Sequence, residues 1–155
     1  MTPERIEALI HRCWETPFGA SQIALAEEAI AQADALGDGE DAERLRFDAR
    51  MAATNAYQHG GEPAKGFVTF SWCLAQHDRD PATFGYQEHL LLWYFKYMVN
   101  SLTRFPEVPL ARTYAVLDDM ERRYRETGPA RHPRRTQSKR QKICYDMSRV
   151  RQLYA

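Results

Sequence analysis

The chain has 155 residues, 44% hydrophobic and 12% aromatic, enough for one domain with a substantial core. It has no run of about 18 apolar residues, the densest stretch being LLLWYF at 90–95, and MTPERIEALIHR lacks an apolar leader, so a soluble, cytoplasmic protein without membrane contact is expected. Formal net charge is zero, yet residues 1–60 hold 11 acids against 5 Lys/Arg, while residues 131–155 hold 8 Lys/Arg against Asp146 alone; ends of opposite sign fit a nucleic-acid- or partner-binding tail or attraction between neighbouring molecules.

Helical periodicity runs through the chain, and nothing reads as a strand. Ile6, Leu9, Ile10 and Cys13 recur at helix spacing in a first helix over 3–15, with Thr2 at its N-cap and Pro3 at N1. TPFGAS resets the chain. A second helix runs from Ser21 to Leu36 on the line Ile23, Leu25, Ala26, Ala29, Ile30 and Ala33, and Gly37 is placed to end it. GDGED turns into a third helix, 40–59, whose Ala49, Ala52, Ala53 and Ala56 let a neighbour come close. In HGGEPAKGFVTF, Gly60 and Gly61 can take the positive φ that ends a helix, and Pro63 sits where the next first turn leaves an N–H unpaired anyway.

The fourth helix, 63–78, is expected to bury Phe67, Phe70, Leu74 and either Val68 or Trp72 before DRDP stops it. A fifth, 84–104, carries the aromatic block and ends at Phe105-Pro106. Pro109 then opens a sixth with Leu110, Tyr114, Leu117, Met120 and Tyr124, closed by Gly128-Pro129. RHPRRTQSKRQK changes the composition, and Ile143, Met147, Val150 and Leu153 are spaced for a short amphipathic capping helix over 143–154. The expected fold is all-α: three antiparallel helical hairpins over 1–128, stacked because each pair alone leaves an apolar face exposed, then a basic segment over 129–155.

The residues AYQHGGEPAKGFVTF, followed by Asp80-Pro81, resemble a tetratricopeptide repeat (TPR) over about 40–81. Ala56 and Tyr57 fall near the end of the first helix of the pair, Ala64 lies just inside the second, Phe67 and Phe70 supply aromatic packing, and Pro81 follows. The corner is one residue shorter than the family spacing, the helix before Pro81 is longer, and the W…LG…Y signature is missing; an irregular or HEAT-like α-solenoid is the related alternative. ALAEEAIAQADALGD before such a repeat is also similar to helical-repeat sensor regions of bacterial regulators. The TPR resemblance implies a binding module in which the first helix of each pair lines a concave groove.

No Walker loop, GxGxxG, GxSxG, HExxH or CxxC occurs, so no catalytic set, metal site or cofactor is expected. Cys13, Cys73 and Cys144 are far apart and encode neither a disulfide framework nor a zinc site. His11 and Cys13 point in different directions on a helix, and His77 with Asp78 and Asp80 reads as a solvated turn. The expected binding face combines Arg46, Arg50 and Tyr57 of the third helix with His89, Trp93, Lys96 and Asn100 of the fifth. Its cations suit the carboxylates of a protein or peptide ligand and its rings suit apolar contact. An exposed repeat end also offers a route to homo-oligomers. The alternative is a regulatory or nucleic-acid-associated module acting through Arg131, Arg134, Arg135, Lys139, Arg140 and Lys142.

Overall fold

The computed structural model describes residues 2–102 and 104–131; the expected capping helix over 143–154 lies outside them. The described elements are α1 (Pro3–Glu15), α2 (Ala20–Asp34), α3 (Glu40–Gly60), α4 (Pro63–Arg79), the short α5 (Pro81–Phe84), a 3-10 turn (Gly85–Gln87), α6 (Glu88–Leu102) and α7 (Leu110–Arg131). The chain is all-α over these residues, with no strand among them. It divides into two compact units with the boundary between Tyr94 and Phe95, inside α6.

In the first unit α3 is the central element, packed against α1, α2, α4 and α5. Its sequence explains this position. Ala49, Ala52, Ala53 and Ala56 are fully shielded from solvent and form one buried cluster with Ala26, Ala29 and Ala33 of α2 and Ile6, Leu9, Ile10 and Cys13 of α1. Small side chains on both helices permit close approach, and the larger residues fill the remaining space. Toward α4 and α5 the contacts change character. The Phe47 ring stacks on Phe84 with centroids 4.8 Å apart, the Cys73 thiol lies 3.8 Å from the Phe47 carbonyl oxygen, and the Thr54 and Thr69 hydroxyls share a hydrogen bond of 2.8 Å.

The corner after α3 separates the roles of its two glycines. Gly61 takes the left-handed conformation (φ 87°), and the N–H groups of Gly61 and Glu62 both return to the Tyr57 carbonyl, closing the helix. Gly60 is still helical, and a Cβ there would stand 2.6 Å from Cδ1 of Ile23, so any larger residue would push the Ile23 side chain aside. Pro63 occupies N1 of α4 as expected. Gly37 does not end α2: the helix stops at Asp34, Ala35 keeps a right-handed conformation, and Gly37 has no positive φ. Thr2 stands at the N-cap of α1, but its hydroxyl does not cap the helix; its carbonyl accepts the Arg5 N–H at 3.2 Å.

Two further expectations change. The inner line of α4 is Gly66, Thr69, Phe70 and Cys73, since close contact with α3 favours small residues there; Phe67, Trp72 and Leu74 are half-buried and Val68 is 71% exposed. The expected fifth helix over 84–104 starts instead at Glu88: Phe84 ends α5, whose start the Asp80 carboxylate caps by accepting the Thr83 N–H at 3.1 Å, and Gly85–Gln87 form a 3-10 turn between α5 and α6.

In the second unit Phe95, Met98, Val99 and Leu102 of α6 and Thr113, Leu117 and Met120 of α7 are buried. The polar side of α7 pairs internally: Arg122 bridges Asp119 and Glu126, Arg123 holds Asp119, and Arg125 holds Glu121. The helix continues through Gly128-Pro129 to Arg131 rather than closing there. Pro129 has no N–H to return to the Arg125 carbonyl, so the helix lacks that bond in its last turn.

Candidate functional site

Arg46, Arg50 and Tyr57 share one side of α3, and that side faces α2 and α4. Nη2 of Arg46 donates to the carbonyl oxygens of Leu36 (2.6 Å) and Gly37 (3.3 Å), occupying acceptors just past the end of α2. Arg50 grips both carboxylate oxygens of Asp34, at 2.9 and 2.8 Å, and its guanidinium lies 4.3 Å from the centroid of the Trp72 ring. A single side chain, 16% exposed, thus ties α2, α3 and α4 together. The Tyr57 hydroxyl donates to Glu27 at 3.1 Å, and Glu27 also accepts from Lys65 Nζ at 2.9 Å. Burial first, and then the Glu27 carboxylate, push the Tyr57 phenol up to about 12. The Lys65 bond, followed by that of Tyr57, holds Glu27 below the usual carboxylate range. The line expected to receive a partner's carboxylates already holds the chain's own, Asp34 and Glu27.

The other expected residues lie elsewhere. His89 is exposed and Trp93 half-buried on the part of α6 belonging to the first unit. Lys96 and Asn100 belong to the second unit, Lys96 half-buried with Nζ 5.0 Å from the Tyr97 ring and Asn100 exposed. Arg131 ends α7, while Arg134, Arg135, Lys139, Arg140 and Lys142 lie outside the described residues.

The opposite side of α3 carries Arg44, Asp48, Asn55 and His59, at i, i+4, i+11 and i+15, and each is met by an aromatic side chain. The Tyr86 hydroxyl donates to Oδ1 of Asp48 at 2.7 Å, Gln87 Nε2 donates to the same oxygen at 3.1 Å, and the Arg44 guanidinium stands 5.1 Å from the Tyr86 ring centroid. Tyr94 donates to Oδ1 of Asn55 at 2.8 Å in a buried contact. Phe18, from the loop between α1 and α2, stacks on the His59 imidazole with centroids 4.4 Å apart. Phe18 is 62% exposed and Tyr86 41%. Two accessible rings are therefore held on one side of α3, by partners Asp48 and His59 that stand about 16 Å apart along the helix, given a rise of about 1.5 Å per residue.

Asp48 adds an electrostatic feature to this face. Loss of solvation pushes its carboxyl above the ordinary range, outweighing the hydrogen bonds from Tyr86 and Gln87 and the nearby Arg44 charge. The native state thus holds this proton more tightly than the unfolded chain. The resulting stabilisation is complete below the unfolded carboxyl range and is lost as pH rises through the folded value. Asp48→Asn keeps an acceptor for Tyr86 and Gln87 while removing the charge. Its stability relative to wild type should rise as pH increases above the ordinary aspartate range of about 4, measured by urea unfolding at a series of pH values. A difference independent of pH would remove charge burial as the cause.

Other reactive groups are structural. Cys13 and Cys73 are buried, and loss of solvation pushes the Cys13 thiol up to about 11 and raises that of Cys73 as well, keeping both protonated. His77 sits between Asp78 and Glu88, with Nδ1 3.7 Å from one carboxylate and Nε2 3.4 Å from the other. Among the described residues no group of three or more His, Cys, Asp or Glu side chains is arranged to hold a metal ion, and no described helix is long and apolar enough to cross a membrane. No family model, curated protein or solved structure matches the chain.

Proposed function

We propose that the chain is a non-catalytic protein- or peptide-binding module, built as a short TPR-like stack and using the side of α3 that faces away from α2 and α4. The observation that carries this reading is the pair of exposed rings, Phe18 and Tyr86, each held against that side by a partner on α3. Rings positioned before a ligand arrives lose little conformational freedom on binding, and aromatic anchors dominate the energetics of protein interfaces. The arrangement of elements supports a TPR-like stack. α1–α2 and α3–α4 are successive hairpins, and α3 packs against both helices of the preceding pair as well as its own partner. In such a stack the helix opening each pair lines the concave side, which on α3 is the side bearing Asp48, Asn55 and His59.

An affinity pull-down from an extract of the source cell tests this. Phe18→Ala/Tyr86→Ala should retain a specific partner at least about tenfold less well than wild type, since truncating one interface anchor costs about 2 kcal/mol or more. Undiminished retention by a double variant with a native circular dichroism spectrum would end the reading. Release of the partner by nuclease would move the function to the basic C-terminal residues.

A further inference from the structure

We infer that His77 is a pH-dependent fastener between α4 and α6: with a proton on each ring nitrogen it holds the Glu88 carboxylate at the start of α6, and on losing one it releases that turn. The inference stands apart from the binding reading above. His77 lies in the last turn of α4, where the helix's terminal carbonyls favour positive charge, and its side chain is 11% exposed. The solvated turn expected of His77, Asp78 and Asp80 does not form, since the ring is enclosed and Asp80 caps α5. Nε2 stands 3.4 Å from Oε1 of Glu88 and Nδ1 3.7 Å from Oδ1 of Asp78. Both nitrogens are shut off from solvent, yet neither has a hydrogen-bond partner among the described residues. Buried polar atoms without a partner are rare enough in folded chains to require a reason.

The reason lies in what the two neighbours can accept. An ionised carboxylate only accepts hydrogen bonds, whereas a neutral imidazole has one N–H and one lone pair. The neutral ring therefore turns a lone pair on one of the two carboxylates, a repulsive contact. The imidazolium has an N–H on each side and suits both. Each carboxylate reaches solvent, Asp78 at 46% and Glu88 at 26% exposure, so a small movement brings it onto its donor. The cations nearby have other contacts: Arg79 is paired with Glu43 of α3 at 3.6 Å, and Arg44 stands over the Tyr86 ring. Asp80 accepts the Thr83 N–H, and Asp48 accepts from Tyr86 and Gln87. α5 and the 3-10 turn carry no charged residue, and His89 of α6 is exposed. Stability from the contact is thus present at low pH and lost as pH rises through the range in which imidazoles titrate. What it releases is the first turn of α6, whose Glu88 N–H closes the preceding turn on the Gly85 carbonyl.

NMR titration of the full-length chain labelled in its histidine rings tests the inference, the His77 signal being assigned by its loss in His77→Gln. In Glu88→Gln the His77 midpoint should fall by about 0.5 pH unit or more relative to wild type, because the charged ring loses its counter-charge. Hydrogen exchange of the backbone amides of residues 88–92, corrected for the intrinsic effect of pH, reads the release itself. In wild type their opening should increase about threefold or more between about pH 5.5 and about pH 8, the factor that half a unit of linkage supplies. His77→Gln and Glu88→Gln should lack that increase; Asp48 is present in all three chains, so its titration cancels from the comparison. An unmoved midpoint overturns the inference, and so does an equal pH dependence of exchange in the three chains. Should either variant fail to fold, wild type decides alone: opening that follows the His77 titration supports the fastener, and opening that does not follow it overturns it.

Discussion

Phe47→Ala should destabilise the first unit by about 3–5 kcal/mol, the largest effect expected from truncating one side chain here. Phe47 is fully shielded from solvent. One face of its ring stacks on Phe84 at 4.8 Å, and Tyr86 leans against it with centroids 6.3 Å apart. α3, α4 and α5 meet around this residue and are tied locally by the Thr54–Thr69 bond and the Asp80 cap, so the cavity left by truncation cannot readily close. Urea unfolding followed by circular dichroism gives the value. A loss below about 1 kcal/mol would mean that the junction collapses into the space, contrary to the rigidity assigned to it. The same variant should weaken ligand binding beyond its effect on stability, because Tyr86 loses the ring on which it rests.

Ala53→Leu should be destabilising for the opposite reason, by about 1–3 kcal/mol. Ala53 has no exposed surface and belongs to the alanine cluster that brings α3 onto α2. A leucine there must push the helices apart, and the displacement strains the bonds at the edge of the seam, Arg50 to Asp34 and Tyr57 to Glu27. Ala53→Gly is the control. It removes a methyl group and lowers helix propensity by about 1 kcal/mol, so both variants should lose stability, the larger residue more. Thermal unfolding of the two separates the causes, and a leucine variant as stable as wild type would show that the seam is not tightly packed.

Much of the fold was legible because its signals are local. The spacing of Ile6, Leu9, Ile10 and Cys13, the alanines of α3 and the pairing of Gly61 with Pro63 each act within a turn or two, and they placed α1, α3 and α4 closely. The break before α6 was missed: Asp80-Pro81 reads as a stop, and it is also the N-cap and N1 of a short helix, α5. The proposed binding face was not legible either. α3 is enclosed by α1, α2 and α4, so its polar residues form two lines, and periodicity alone cannot say which one the neighbouring helices cover. Arg46, Arg50 and Tyr57 carry the stronger charge and so drew the assignment; their partners Asp34 and Glu27 are 16 and 30 residues away in the chain. Phe18 and Tyr86 lie outside the long helices, where an aromatic residue carries no periodic signal at all.

The central position of α3 also has a consequence during synthesis. α1 and α2 present Ala26, Ala29 and Ala33 to a helix that the ribosome has not yet made. At about 5–20 residues per second, the 21 residues of α3 take about 1–4 s to appear. Through that interval the hairpin is complete in sequence but has no surface on which to settle, which makes the nascent chain most vulnerable to chaperone capture or misassociation before Gly60 emerges. The buried cluster of the first unit therefore cannot close until the alanines of the third helix have emerged.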